Sequence, residues 1–277
     1  MEKKTLSAKL LASPHIVWSV LFIIAPLLMV AYYSFTNADG SFTFENIKAL
    51  AGYQEVFLNS IWYGIVATLI CLVIAYPTAY FIARSKARVQ STMIMLVMLP
   101  MWTSLIVRTY SIMSLIENTG IINTLLQKFG FDPIQMINTS GAVVLGMVYD
   151  FLPFMILPIY SVLTKLDNKL VEAAHDLGAD KITVLTKVIL PLSRSGILSG
   201  ITMVFVPSVS TFYISQKLGG GNFALVGEII EGQFVTSNNF NLGASLSLVL
   251  MVLILICMAV MNHFSGDEEE SSGGLMP

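Results

Sequence analysis

Residues 146–192 read GMVYDFLPFMILPIYSVLTKLDNKLVEAAHDLGADKITVLTKVILPL. As far as Leu163 the stretch is almost wholly apolar. Continued back to Gly141, it is long enough as a helix, at about 1.5 Å per residue, to cross a hydrocarbon layer about 30 Å thick. From Thr164 it turns polar, and at Leu190-Pro191 it runs into another apolar segment. A membrane span, a substantial polar loop and a second span are therefore joined in one piece.

The rest of the chain fits that reading. Of 277 residues, 55% are hydrophobic and 12% are charged, where soluble domains carry about 25% charged residues. So little charge cannot cover a water-facing surface, and a net charge of −2 offers no basic footprint for phosphates. Soluble enzymes, disordered chains and nucleic-acid binders are excluded, which leaves an all-α membrane protein. Apolar runs long enough to span occur at 14–35, 61–83, 92–115, 141–164, 196–215 and 242–264, predicting six transmembrane helices. The first follows Lys3, Lys4 and Lys9 as a secretory signal would. It is too long for one and no small-x-small site follows it, so we read it as a retained helix. Cys71 and Cys257 both lie in apolar runs, where a thiol acts as a small hydrophobe, and no disulfide framework is expected.

Orientation follows from Lys and Arg, which favour the cytoplasmic side. Eleven of the fifteen lie at the N-terminus, at Arg84 to Arg88, and between Lys165 and Arg194; Lys48, Lys128 and Lys217 fall on the other side, and Arg108 lies within the third span. Both termini are thus expected in the cytoplasm. The expected organisation is one membrane domain over 1–277 with its core at about 60–264. It carries a cytoplasmic loop at 165–194, an outer segment at 217–241 and an acidic cytoplasmic tail at 265–277. In the outer segment Phe223, Val226, Ile229 and Ile230 recur at helical spacing opposite Glu228 and Glu231, predicting a short amphipathic helix at the surface.

The loop predicts a helix through Glu172-Ala173-Ala174-His175-Asp176, a stop at Gly178, and a second helix with Ile182, Leu185, Val188 and Ile189 on one side until Pro191 interrupts it. Glycine readily takes the positive φ that closes a helix. A helix–turn–helix standing out of the membrane is a docking element: small Ala173 and Ala174 allow close approach and Glu172 sets register.

The loop resembles that of permease subunits of bacterial ATP-binding cassette importers, whose pattern is E-A-A, three residues, G, nine residues, I-x-L-P. Glu172-Ala173-Ala174, Gly178 and Leu190-Pro191 fall in register, with Val188 in place of the isoleucine. The segments LPMWTSLIVRTYS (99–111), 146–181 and FYISQKLGGG (212–221) further resemble permeases of spermidine/putrescine importers, and the likeness runs over essentially the whole chain. It implies a type I importer permease fold with six transmembrane helices and a cytoplasmic coupling helix in which Glu172, Ala173, Ala174, Asp176 and Gly178 meet an ATPase. The implied partners are two ATPase subunits, a second permease subunit and an extracytoplasmic polyamine-binding protein. ATP and Mg²⁺ would be held by the ATPase, with no cofactor in this chain. In keeping with that, the sequence contains no G-x-x-x-x-G-K-[ST] loop.

Inside the spans, ionisable residues are costly and usually functional or paired. Arg108 and Asp150 both fall in the outer half of the bilayer if the third and fourth spans are straight, Arg108 about 24 Å from the inner end of its span. Two readings stand: an ion pair between adjacent helices, or a carboxylate that Asp150 offers to a passing cation. In the fifth span Ser208, Thr211 and Ser215 lie within about 60° of one another on a continuous helix, a polar stripe beside Pro207. An elongated polycation needs carboxylates and aromatic faces, and Trp102, Tyr149, Tyr160 and Tyr213 are the candidate walls, with ordinary packing or interfacial anchoring the alternative for each. Gly196 and Gly200 predict close helix packing. His15, His175 and His263 show no metal-ligand spacing. The outer connections hold seven acidic against three basic residues, which suits a cation, although sugar, iron-chelate or oxyanion import, or a secondary transporter, would share the same helices.

Overall fold

The computed structural model describes residues 14–37, 39–221 and 223–266, with side chains described at all of these except 168 and 262–266. Lys3, Lys4, Lys9, the side chain of His263 and the tail carboxylates Asp267 to Glu270 lie outside this set. Among the described residues helices are the only regular elements, apart from one isolated bridge between Thr36 and Phe42.

Among the described residues, four helices are long and apolar enough to cross a membrane on their own, and two bent pairs, each counted as one span, bring the number to six. In chain order, α1 is Pro14–Ser34. α2 is Gln54–Ala83, led in by a short helical stretch from Glu45. α3 is Ala87–Met98 and α4 Leu105–Ile116. α5 is Ile121–Lys128 and α6 Ser140–Leu163. α7 is Asn168–Asp176, α8 Lys181–Leu192, and α9 Arg194–Ser210. α10 is Tyr213–Leu218, α11 Val226–Val235 and α12 Phe240–Gly266.

The third and fifth runs differ from the straight spans expected. The third breaks at Thr103-Ser104, and the segments on either side are bent by 94°. Pro100 has no N–H to continue the ladder, and the backbone turns extended at both Thr103 (ψ 152°) and Ser104 (ψ 140°). The carbonyl of Pro100 is satisfied locally, accepting from the Thr103 hydroxyl at 2.7 Å and its N–H at 3.2 Å. The fifth run ends at Ser210, with Thr211 extended (ψ 141°), and resumes as α10. Pro207 removes one helical bond, and the hydroxyls of Ser208 and Ser210 back-bond to Val204 and Val206 at 2.7 and 3.0 Å, a habit that bends helices. A further bend of 66° separates α8 from α9 at Ser193.

The molecule divides into two compact units. In the larger, residues 56–228 and 254–277, α6 is the central helix, with 61% of its apolar window buried. Met147, Met155 and Ile159 are fully enclosed there. α9 lies directly on it through Gly196 and Gly200. A Cβ on Gly196 would stand 2.9 Å from the Pro158 carbonyl oxygen, and one on Gly200 2.6 Å from Met155 Sδ. This is the close approach expected of the G-x-x-x-G pair. The outer segment departs from its expected surface position at its start: Leu225 and Val226 are buried, and the Val226 N–H donates to Ser60 Oγ at 2.8 Å. Ser60→Ala would leave that N–H unpaired in a buried place, a cost of about 1–3 kcal/mol. A fall in the thermal unfolding midpoint of the detergent-solubilised protein is therefore expected, and an unchanged midpoint would contradict it.

In the smaller unit, residues 1–55 and 229–253, the carbonyls ending α1 are taken up by α12. Asn241 Nδ2 donates to Tyr33 at 3.1 Å and Ser245 Oγ to Ser34 at 3.2 Å. None of the apolar window of α1 is buried. Its surface is suited to lipid or to another subunit.

Candidate functional site

The polar loop folds as the helix–turn–helix its sequence predicts. Asp167 caps α7, its Oδ1 accepting from the Lys169 N–H at 3.0 Å. At the other end Gly178 adopts φ +83°, its N–H bonds to His175 O at 2.9 Å, and the Ala179 N–H reaches back to Ala174 O at 3.0 Å. That pair of bonds is a Schellman closure, which requires the left-handed conformation where Gly178 stands. Asp180 then caps α8, accepting from the Thr183 N–H at 3.2 Å. Hydrogen bonds from the Thr183 side chain, then its backbone N–H, hold the Asp180 carboxyl below its ordinary range. The cap is thus complete above the usual carboxylate pKa and is lost as pH falls through the depressed value.

Glu172, Ala173, Asp176 and Gly178 are exposed on this element. Ala174 differs from these: it is half-buried and packs on the protein's own core with Val171 and Ala179, so its small size also serves the loop's seat. Two apolar residues of the loop, whose exposure the sequence did not indicate, are more telling. Leu177 is 89% exposed and Ile182 71%, apolar side chains held out at the turn where water gives them no reason to be. The available signal was a leucine directly before the closing glycine. Beneath the loop a cavity of about 510 Å³ is lined by residues including Tyr76, Tyr80, His175 and Lys181. The seat is closed by a hydrogen bond between Tyr76 Oη and Ser193 Oγ at 3.0 Å.

Within the membrane part, Arg108 and Asp150 form an ion pair, Nη1 to Oδ1 at 3.0 Å, with their side chains 12% and 1% exposed. The straight-helix depth argument for their meeting does not hold, because α4 begins after the 94° bend; the pair forms because α4 packs on α6. Pairing is incomplete. Arg108 Nη1 also reaches Asp150 O at 3.4 Å, yet Asp150 Oδ2 and Arg108 Nε have no hydrogen-bond partner among the described residues, and Oδ1 lies off the N–H directions. The carboxylate is charge-balanced but keeps acceptor capacity.

The polar stripe of the fifth span is not assembled. With the helix broken at Thr211, Ser208, Thr211 and Ser215 do not lie on one continuous helix, and all three are buried. Ser208 and Ser215 spend their hydroxyls on Val204 O (2.7 Å) and Phe212 O (2.9 Å). Tyr160 is also set apart from Asp150. Its hydroxyl donates to Gln90 Oε1 at 3.3 Å, and Gln90 caps the carbonyls of Ala83 and Ser85, so Tyr160 anchors the α2–α3 turn. Trp102 and Tyr149 are well exposed. Tyr213 meets Tyr110, the ring centroids 6.4 Å apart, beside Lys217. Cys71 is enclosed and Cys257 half-buried, neither in a disulfide.

Residues 49–266 match the family of binding-protein-dependent transport system inner membrane components. The chain belongs to this family. Among its relatives, the spermidine/putrescine transport system permease protein PotB of Haemophilus influenzae is 39% identical over 253 residues, covering 88% of each chain. The protein of that name from Escherichia coli is 36% identical, covering 88% of this chain and 92% of the relative. In solved structures, a chain of a bacterial alginate transporter in complex with its periplasmic protein superposes with a TM-score of 0.78 at 15% identity, over 95% of both chains. That likeness establishes the fold alone. The permease is a multi-pass membrane protein and a transport component rather than a catalyst.

Proposed function

We propose that this permease is one of two membrane subunits of an ATP-driven importer of spermidine or putrescine, with both termini in the cytoplasm. Two ATPases hold the ATP and Mg²⁺, and an extracytoplasmic binding protein delivers the polyamine. The observation that carries the substrate is the identity of 36–39% to spermidine/putrescine permeases across 88% of the chain. Glu172, Leu177 and Ile182 on the Schellman-closed loop form the contact through which closure of the ATPases moves the helices. Asp150, with acceptor capacity on Oδ2, offers charge to the passing cation, and Trp102, Tyr149 and Tyr213 offer ring faces.

In operation the loaded binding protein docks outside, ATP binding opens the path outward, and hydrolysis resets it. The test is reconstitution of the permease with candidate ATPase, second permease and binding-protein subunits, followed by ATP hydrolysis with and without spermidine. Stimulation by spermidine-loaded binding protein is expected. Equal stimulation by a sugar- or oxyanion-loaded protein, with none by spermidine, would overturn the substrate.

A further inference from the structure

The short helix α10 sits between the break at Thr211 and the glycines 219–221, and carries Tyr213 and Lys217 one turn apart. α4 packs beside it and brings Tyr110. The two tyrosine rings meet edge to face, inclined by 76°. Into the corner between them projects the ammonium of Lys217, 5.8 Å from the centroid of Tyr213 and 6.0 Å from that of Tyr110. Both distances lie within the range of about 6 Å over which a ring face attracts a cation. Among the described residues no carboxylate forms an ion pair with Lys217. Its charge is met by the rings. The corner is open on one side, since Tyr110 is 45% exposed.

The occupant has a telling chemistry. A lysine side chain is four methylenes ending in a primary ammonium, the same aminobutyl group that ends spermidine and makes up putrescine. We infer that the Tyr110–Tyr213 corner is a binding site for a primary alkylammonium group, filled in this state by the tethered Lys217 as a stand-in that an incoming polyamine end displaces. The inference deepens the polyamine reading above and rests on it for the identity of the natural ligand. The competition makes Lys217 a specificity element. A neutral solute gains nothing by entering the corner, whereas a long alkylammonium replaces the resident cation at little net electrostatic cost and leaves a displaced positive charge behind it.

Apparent affinity for a site open only part of the time is reduced by the open fraction. If Lys217 occupies the corner for most of the time, its removal tightens binding by roughly three- to tenfold. The experiment is equilibrium binding of radiolabelled putrescine to the assembled, detergent-solubilised transporter, alongside spermidine uptake in proteoliposomes. Lys217→Met is expected to bind putrescine three- to tenfold more tightly, by the same argument. Lys217→Arg should stay near wild type. Adding Tyr213→Leu to Lys217→Met should abolish the gain, while Tyr213→Phe, which keeps the ring face, should not. Unchanged or weaker putrescine binding by an assembled Lys217→Met transporter overturns the site, even where wild-type uptake of spermidine is normal. A gain in binding that survives Tyr213→Leu and Tyr110→Leu overturns it equally. Tighter binding by Lys217→Met with no uptake of either polyamine by the wild type sustains the site and refutes the transport reading.

Discussion

Asp150→Asn is expected to destabilise the permease by about 3–5 kcal/mol, the cost of leaving one member of a buried ion pair without its partner. The carboxylate is 1% exposed and its counter-charge 12%, so Arg108 would retain a full charge beside an amide that cannot neutralise it. The measurement is the unfolding midpoint in detergent, read with the yield of assembled complex. The double variant Arg108→Met with Asp150→Leu removes both charges and should recover most of the loss, because well-packed apolar groups often replace buried ion pairs without penalty. That variant also separates the two roles open to Asp150. A stable double variant that transports at the wild-type rate makes the pair structural only, and one that assembles but no longer moves polyamine makes the carboxylate part of the path. Should Asp150→Asn leave both midpoint and uptake as they were, neither role stands.

The second large effect lies on the loop. Gly178 has φ +83° and open space around the position a Cβ would take, so a side chain there is opposed by backbone conformation and not by crowding. A β-branched residue is the worst case, and Gly178→Val is expected to cost about 1–2 kcal/mol locally. The turn can relieve this only by giving up the Schellman bonds to His175 and Ala174, which reorients Leu177 and Ile182. Membrane insertion should be untouched, while ATPase co-purification and uptake fall by roughly an order of magnitude, the factor that 1.4 kcal/mol represents. Gly178→Asn, which tolerates the left-handed region, should keep most of the activity. Equal loss in Val and Asn variants would move the cause from backbone geometry to the loop's surface. Leu177→Asp addresses that surface directly: the turn is preserved and only the apolar contact is removed.

The loop was legible in the sequence because its determinants are local. Gly178 closes the first helix as its sequence predicts, and Asp167 and Asp180, which the sequence reading did not single out, cap through bonds to residues two and three positions on. Arg108 and Asp150 were legible as a possible pair because charges in hydrocarbon are so costly that few arrangements survive. The serine and threonine stripe was not, because its angular argument assumes an unbroken helix. Pro207 and the back-bonding hydroxyls of Ser208 and Ser210 signal a weak point, but whether such a helix bends or breaks depends on what packs against its end. Here Gly227 comes so close that an added Cβ would fall 2.7 Å from Thr211 O and closer still to Ser210 O. The bond from the Tyr160 hydroxyl to Gln90 was illegible for a related reason. An apolar periodicity gives the face on which a ring lies, not the neighbour from another helix that will bond its hydroxyl.

By itself, then, the sequence determined that this is a membrane protein of up to six spans with a polar helix–turn–helix loop closed at a glycine, because hydropathy, charge asymmetry and helix closure act through nearest neighbours and through the solvent. Tertiary structure alone decided where two spans break, that Ala174 faces inward while Leu177 faces out, and that Tyr110 meets Tyr213 and Lys217 from about a hundred residues away. Those outcomes depend on which helices share a contact, and residues far apart along the chain carry no mark of that until they are packed together.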